Sequence, residues 1–320
     1  MGQRDISQVR YFEDNQRYAD LINGFVFKGK QVISGQDIQD MDSRVTGVSG
    51  SLRQRFMVQK YRDCVRRVIF GTGVVVIGIE NQDKVHYGMP IRIMMEDAAS
   101  YDRQMRQIQR RHRAWHDLKG GEFLGGFSRY DRVHPVITIC IYYGSAPYDG
   151  PRELFQIMDD ANLPENMKLM LNNYRIHVLE IRSFQHIDCF RTDLREVFGF
   201  IQRAGDTEAA RKFTFENEKE FKALEEDAFD VIVSATGSME LAGLKDTYRE
   251  EGGKINMCEA IRGMIAEGRS LGLAEGQREK AYKTARNMYN RNFSVQETAA
   301  LLDEDPDMIS QWYNAWDKGL

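Results

Sequence analysis

The stretch Gly73–Gln82, GVVVIGIENQ, constrains this chain most: an unbroken apolar run that ends abruptly in an acid and an amide. Val and Ile suit the two-sided packing of a sheet interior, and the leading Gly marks a turn. The run therefore predicts a strand buried on both faces. Strand side chains alternate, which sends Glu80 and Gln82 to one face and Ile79 and Asn81 to the other. A carboxylate at the end of a core strand is costly unless something charged meets it, and a metal ion resolves that cost. Upstream, Asp63 opens the preceding apolar stretch, Cys64–Phe70, and supplies a second carboxylate. The pattern reads Asp63, sixteen residues, then Glu80-x-Gln82.

Around this pair the elements follow from periodicity. Tyr18, Leu21, Ile22 and Phe25 fall at helical spacing over residues 14–25. Residues 34–50 are polar and read as a connection or a cover. Gly71-Thr72-Gly73 suits a hairpin turn. Pro90 opens a helix in which Ile91, Met94, Ala98, Tyr101, Met105 and Ile108 form an apolar stripe to set against a sheet. Residues 136–143, VITICIYY, predict another core strand, and residues 174–181 a further one. Helix, strand, strand, helix, strand is a mixed sheet flanked by helices, an α/β fold.

RDCVRRV and IGIENQ, followed by MPIRIMMEDAASY, resemble the Rpn-type recombination-promoting nucleases, a PD-(D/E)XK nuclease family of transposase-like proteins. The resemblance covers residues 18–143 and, more loosely, the rest of the chain. It implies a PD-(D/E)XK restriction-endonuclease-like core with a helical C-terminal region. It also implies a Mg2+- or Mn2+-dependent DNA endonuclease, linked to recombination or mobile elements. The implied catalytic residues are Asp63, Glu80 and Gln82. The implied metal ligands are Asp63, Glu80 and the main-chain carbonyl of Asn81, with Asp20 on the first helix as an outer candidate. Gln82 stands in the usual Lys position; an amide carries no charge and can only orient water or phosphate. Arg92 and Tyr101 match positions that recur in the family, whereas Glu96 stands where relatives commonly have Tyr. A catalytically degenerate fold that binds DNA or a partner protein is the alternative.

The net charge of -4 argues against coating nucleic acid by bulk charge, but the charge is unevenly placed. Residues 53–67 hold six bases against Asp63 alone, and residues 103–113 hold five arginines, while residues 206–251 hold 13 acids against 6 bases. Basic side chains surround the candidate site. Arg62, Arg66, Arg67, Arg92, Arg103, Arg106 and Arg110 are therefore candidate contacts to double-stranded DNA, with ordinary solvated helix faces as the bland alternative. Four cysteines without paired spacing predict free buried thiols in a reducing cytoplasm. No apolar run approaches the roughly 20 residues of a membrane helix, and the polar first residues do not read as a signal peptide. The expected divisions are a nuclease-like domain over 1–183, a helical acidic region and linker over 184–277, and a three-helix tail over 278–320. Gly268, Gly272 and Gly276 point to a linker or a close-packed helix pair. Residues 294–320 look like a helix-turn-helix but carry six acids and one Lys, so the tail is expected to mediate self-association through exposed Trp312 and Trp316.

Overall fold

The computed structural model describes residues 3–40, 44–48, 57–61 and 64–318, which divide into two compact units, Met1–Cys258 and Glu259–Leu320. In chain order the first unit begins with α1 (Gln3–Tyr11) and α2 (Asn15–Phe25), then β1 (Ile38–Asp40), β2 (Arg44–Val48), β3 (Met57–Tyr61), β4 (Cys64–Phe70) and β5 (Gly73–Gln82). Helix α3 (Met89–Trp115) and the short α4 (Gly120–Gly125) lead to β6 (Val136–Tyr142), and α5 (Glu165–Lys168) precedes β7 (His177–Glu180). Helices α6 (Leu194–Arg203), α7 (Thr207–Glu216), α8 (Glu218–Phe221), α9 (Glu226–Thr236) and α10 (Met239–Leu244) follow.

Five strands form one mixed sheet in the order β1-β4-β5-β6-β7, with β5 at its centre. Strands β1, β4 and β5 run antiparallel, and β5, β6 and β7 run parallel. A parallel pair needs a long crossover, and α3 is the crossover from β5 to β6. Strands β4 and β5 form a hairpin closed by the pair Phe70 and Gly73, and Gly71 takes a φ of 57° at the first loop position, as a two-residue turn of that hand requires. Strand β5 is buried continuously from Val76 to Asn81, as its composition predicts. Strand β1 is a difference: the polar stretch read as a connection contributes an edge strand, which pairs Ile38 with Val68.

The two sheet faces are covered differently. On the face of Glu80, Met89 and Ile93 of α3 join Cys140, Tyr142 and Val178 in one apolar cluster. On the opposite face Tyr18 of α2 donates to the Ile77 carbonyl at 2.7 Å, and Tyr143 meets Phe198 of α6 edge to face. Asp14 caps α2 by accepting from the Gln16 and Arg17 N–H groups. The helices of residues 184–258 thus belong to the same unit as the sheet, in place of the expected separate acidic region. All four cysteines are free, with Cys64, Cys140 and Cys258 buried.

An ion cluster around the buried Arg17 joins these helices. The Arg17 guanidinium on α2 donates to Asp193 at 2.8 and 2.7 Å and to Asp227 on α9 at 2.5 Å, while the Tyr11 hydroxyl donates to Asp193 at 3.0 Å. Burial pushes the Asp193 carboxyl up against the pull of Arg17, and Arg17 stays charged.

Helix α11 (Met257–Tyr289) begins in the last two residues of the first unit, and in the second unit the rest of it, with α12 (Val295–Leu302) and α13 (Pro306–Asp317), supplies a separate core of Ala285, Ala299, Ile309, Tyr313 and Trp316. The expectation of exposed tryptophans is corrected here. Trp316 is buried and donates its indole N–H to the Tyr282 hydroxyl at 2.8 Å, and Trp312 packs edge to face on Tyr282. So small a unit has few apolar residues to bury, and its aromatics become the core. Gly268, Gly272 and Gly276 lie inside continuous α11, and beyond the helix's own adjacent backbone nothing stands within 4 Å of where a Cβ would be. The expected Ser294 capping box with Glu297 is present. Among the described residues no helix is long and apolar enough to cross a membrane.

Arg17→Leu leaves two acids with their shared cation removed, and because each acid keeps about a fifth of its side chain in water the loss should fall below the ~3–5 kcal/mol of a fully buried pair. Urea unfolding followed by circular dichroism should show that loss, and Asp193→Asn added to it should recover part. An Arg17→Leu protein as stable as the parent would show that the cluster does not hold these helices together.

Candidate functional site

Glu80 is fully buried at the end of the central strand, 0% exposed, and its carboxylate is held by charge and amide. Oε1 accepts from the Gln82 amide at 3.1 Å and pairs with the Arg92 guanidinium, which reaches it from the first turns of α3. Arg92 also meets Glu96 Oε1 at 3.3 Å, one helical turn on. Glu96 is itself buried, so two buried carboxylates share one half-buried arginine. Glu80 and Gln82 share a face as their alternation predicts. The Asn81 side chain points the other way, where its Oδ1 accepts from the Tyr143 hydroxyl at 3.1 Å.

The apolar stripe expected on α3 is not its buried face. Ile91, Ala98 and Met105 are exposed, and the helix turns Met89, Ile93, Glu96, Asp97, Ser100 and Gln104 inward. The polar members have partners waiting on the sheet. Asp97 accepts from the Thr138 hydroxyl of β6 at 2.7 Å and from the Tyr174 hydroxyl. The Gln104 amide is bound twice to the His134 main chain, donating to the carbonyl at 3.1 Å and accepting from the N–H at 2.7 Å. Glu96, Asp97, Ser100 and Gln104 recur at helical spacing, so a polar stripe was there to be found. A search that follows only apolar periodicity passes over it.

The structure sorts the other predicted residues. Asp63 and Arg62 lie outside the described residues. Asp20, on α2, accepts at Oδ2 from the Arg191 and Thr192 N–H groups and the Thr192 hydroxyl, each at 2.7 Å. It fastens that turn to α2. Arg66 is a correction: it is 7% exposed, lies 3.1 Å from Asp40 and sits over the Tyr18 ring, so it is no surface contact for DNA. Strand alternation sends its neighbour Arg67 to the opposite face. Arg92 is committed to the two carboxylates, and Arg106 pairs with Asp102 at 2.8 Å on the helix surface. Arg110 is exposed. Arg67 and Arg103 converge with Arg111, Arg132 and His134 on a cavity of about 480 Å3.

The Glu80 carboxylate is a hard oxygen donor of the kind that suits Mg2+ or Mn2+, but the groups that meet its Oε1 are nitrogen donors, the Gln82 NH2 and the Arg92 guanidinium, which stand where a cation would. Among the described residues no group of three His, Cys, Asp or Glu side chains is close enough to hold an ion. The described residues thus offer one buried carboxylate, Glu80, and no complete ligand set. Comparison of the chain with protein-family models, with curated proteins and with solved structures found no match.

The wall that carries Arg111 is tied by a titratable group. His112 lies between Asp117 and Asp131, 2.7 Å from each, and Asp131 also accepts from Arg111 at 2.8 Å. The Asp117 and then the Asp131 hydrogen bonds raise the His112 pKa. Burial pushes Asp131 up, but the Ser128 N–H, His112 and Arg111 outweigh it and hold the carboxyl below its ordinary value. A raised His contributes stability that is complete below its unfolded pKa of about 6.5 and is lost as pH rises through the folded value. A lowered Asp contributes above its unfolded value of about 3.9 and loses that contribution as pH falls through the folded one. Amide exchange over residues 117–131, corrected for intrinsic rates, should therefore be slowest between those limits and accelerate on the alkaline side. His112→Gln should remove the alkaline acceleration, and its persistence would rule out His112 as the cause.

Proposed function

We propose that this protein is a metal-dependent endonuclease of the PD-(D/E)XK type that hydrolyses phosphodiester bonds in double-stranded DNA, in a recombination or mobile-element setting. One observation carries the reading: a fully buried glutamate ends the central strand of a mixed sheet, with Gln82 and Arg92 on its carboxylate. A carboxylate is kept in such a place when charge is to be handled there. In this proposal Asp63, one residue before the Cys64 that pairs with Ile79, joins Glu80 and the Asn81 carbonyl in holding Mg2+ or Mn2+. A bound divalent ion activates water and screens charge on the leaving oxygen. Gln82 orients the water or the phosphate, since an amide moves no proton. Arg92 supplies the positive charge that Gln82 lacks, and Glu96 fixes the guanidinium so that its donors face the site. The C-terminal unit remains the proposed site of self-association, with anchors other than the buried Trp316.

The same arginine favours a second reading. A guanidinium on Glu80 Oε1 already balances that carboxylate, as in a fold that binds DNA or a protein and has no chemistry left.

Plasmid incubated with Mg2+ or Mn2+ should be cleaved, EDTA should abolish cleavage, and Glu80→Ala should slow it at least ~100-fold, the scale of losing one catalytic electrostatic contact. Cleavage that survives EDTA or Glu80→Ala would exclude this mechanism. Duplex that is bound but left intact with both ions would select the second reading.

A further inference from the structure

We infer that the arginine-lined cavity beside α3 is a phosphate-binding site that holds the nucleic-acid strand a few nucleotides from Glu80. The inference rests on the nucleic-acid reading above and names where the backbone is held.

The cavity, about 480 Å3, is lined by Arg67 from β4, Arg103 and Arg111 from α3, and Arg132 and His134 from the segment entering β6. Four arginines line it with one acid, Asp40, which lies 3.1 Å from Arg66, and Arg111 also meets a carboxylate, Asp131, at 2.8 Å. Like charges brought together from three separate elements repel unless an anion shares the space, so the arrangement favours a bound anion. Guanidinium groups match phosphate oxygens with paired N–H donors, which makes phosphate the fitting class. The volume is that of a small-ligand site and exceeds one phosphate group. Val76 and Ile108 add an apolar surface for the attached sugar or base.

The walls are built in advance. Gln104 clamps the His134 main chain to α3, and the Arg111 to Asp131 pair holds the residue next to Arg132. Arg67 is half-buried and shows no carboxylate partner among the described residues, and its guanidinium lies 3.5 Å from the His134 ring. A solvated arginine face needs neither burial nor clamps.

Position links the cavity to the site. Val76 and Glu80 share one face of β5, four residues apart, or about 13 Å at a strand's ~3.3 Å rise. A strand whose scissile phosphate lay at Glu80 would place a neighbouring phosphate within reach of the cavity.

The test measures binding of a short labelled duplex in EDTA, where nothing is cut, across a salt series. Each phosphate contact contributes about 0.9 to the slope of log affinity against log salt. Arg67→Ala with Arg132→Ala should lower that slope by about 1 to 2 and weaken binding, and Lys212→Ala, an exposed side chain on α7, should leave both unchanged. Exposed Arg132→Ala alone keeps the test valid if the double variant unfolds on circular dichroism, with a slope lower by about 1. Equal slopes for parent, Arg132→Ala and Lys212→Ala would overturn the site. A nucleoside monophosphate that binds the parent and not the variant, while duplex binds neither, would overturn the nucleic-acid source. Cleavage with Mg2+ is scored separately. Pocket-dependent binding without cleavage keeps this site and sinks the nuclease, whereas cleavage with an unmoved slope does the reverse.

Discussion

The burial of one charge organises this protein. Glu80 ends the middle strand of a five-stranded sheet with no exposure to water, and an ionised carboxylate there is tolerated only with charge and hydrogen bonds around it. Helix α3 has to answer that demand because it is the crossover that covers this face. Its first turns bring Arg92 to the carboxylate, and the next turn brings Glu96 to hold Arg92. A helix that carried only Leu and Ile on that face would pack better and leave Glu80 stranded.

The same logic extends along α3. Asp97 with Thr138 and Tyr174, then Gln104 with His134, continue a polar seam between helix and sheet, and the seam ends at the arginine cavity. Apolar contacts at Met89 and Ile93 secure one end of the helix, and fixed hydrogen bonds set its register along the rest. Such a network is stable when each member finds its partner, and it holds side chains in defined positions more strictly than apolar packing does. Rigidity of this kind suits a site. It stands apart from the Arg17 cluster on the opposite helices, where ion pairs join α2 to α9 and to the residue before α6.

How much of this was legible in the sequence depended on the range of the forces involved. Strand β5, its hairpin with β4, the strand at β6, the helix opened by Pro90 and the capping box at Ser294 all follow from local rules: alternation, turn chemistry and caps. Glu80 beside Gln82 on one face is a consequence of strand geometry alone. The mixed sheet follows from the order of elements. Even the opposite fates of Arg66 and Arg67 are implicit in that alternation, although which of the two faces the helices of the buried side is not.

What tertiary structure decided was which polar groups meet. Arg92 is one charge among many on a basic helix until the fold sets it against Glu80. The inward face of α3 was misjudged because apolar periodicity reports burial only when burial is apolar, and here Thr138, Tyr174 and the His134 main chain make polar residues the ones to bury. Trp316 could not be told from a docking anchor, since an aromatic residue on a short helix serves either role until Tyr282 and Tyr289 of α11 are known to cover it. Local propensity sets elements and the faces they present. The pairing of buried charges is a long-range choice, made by whichever partners the packed elements bring within a few ångströms, and no spacing along the chain encodes it.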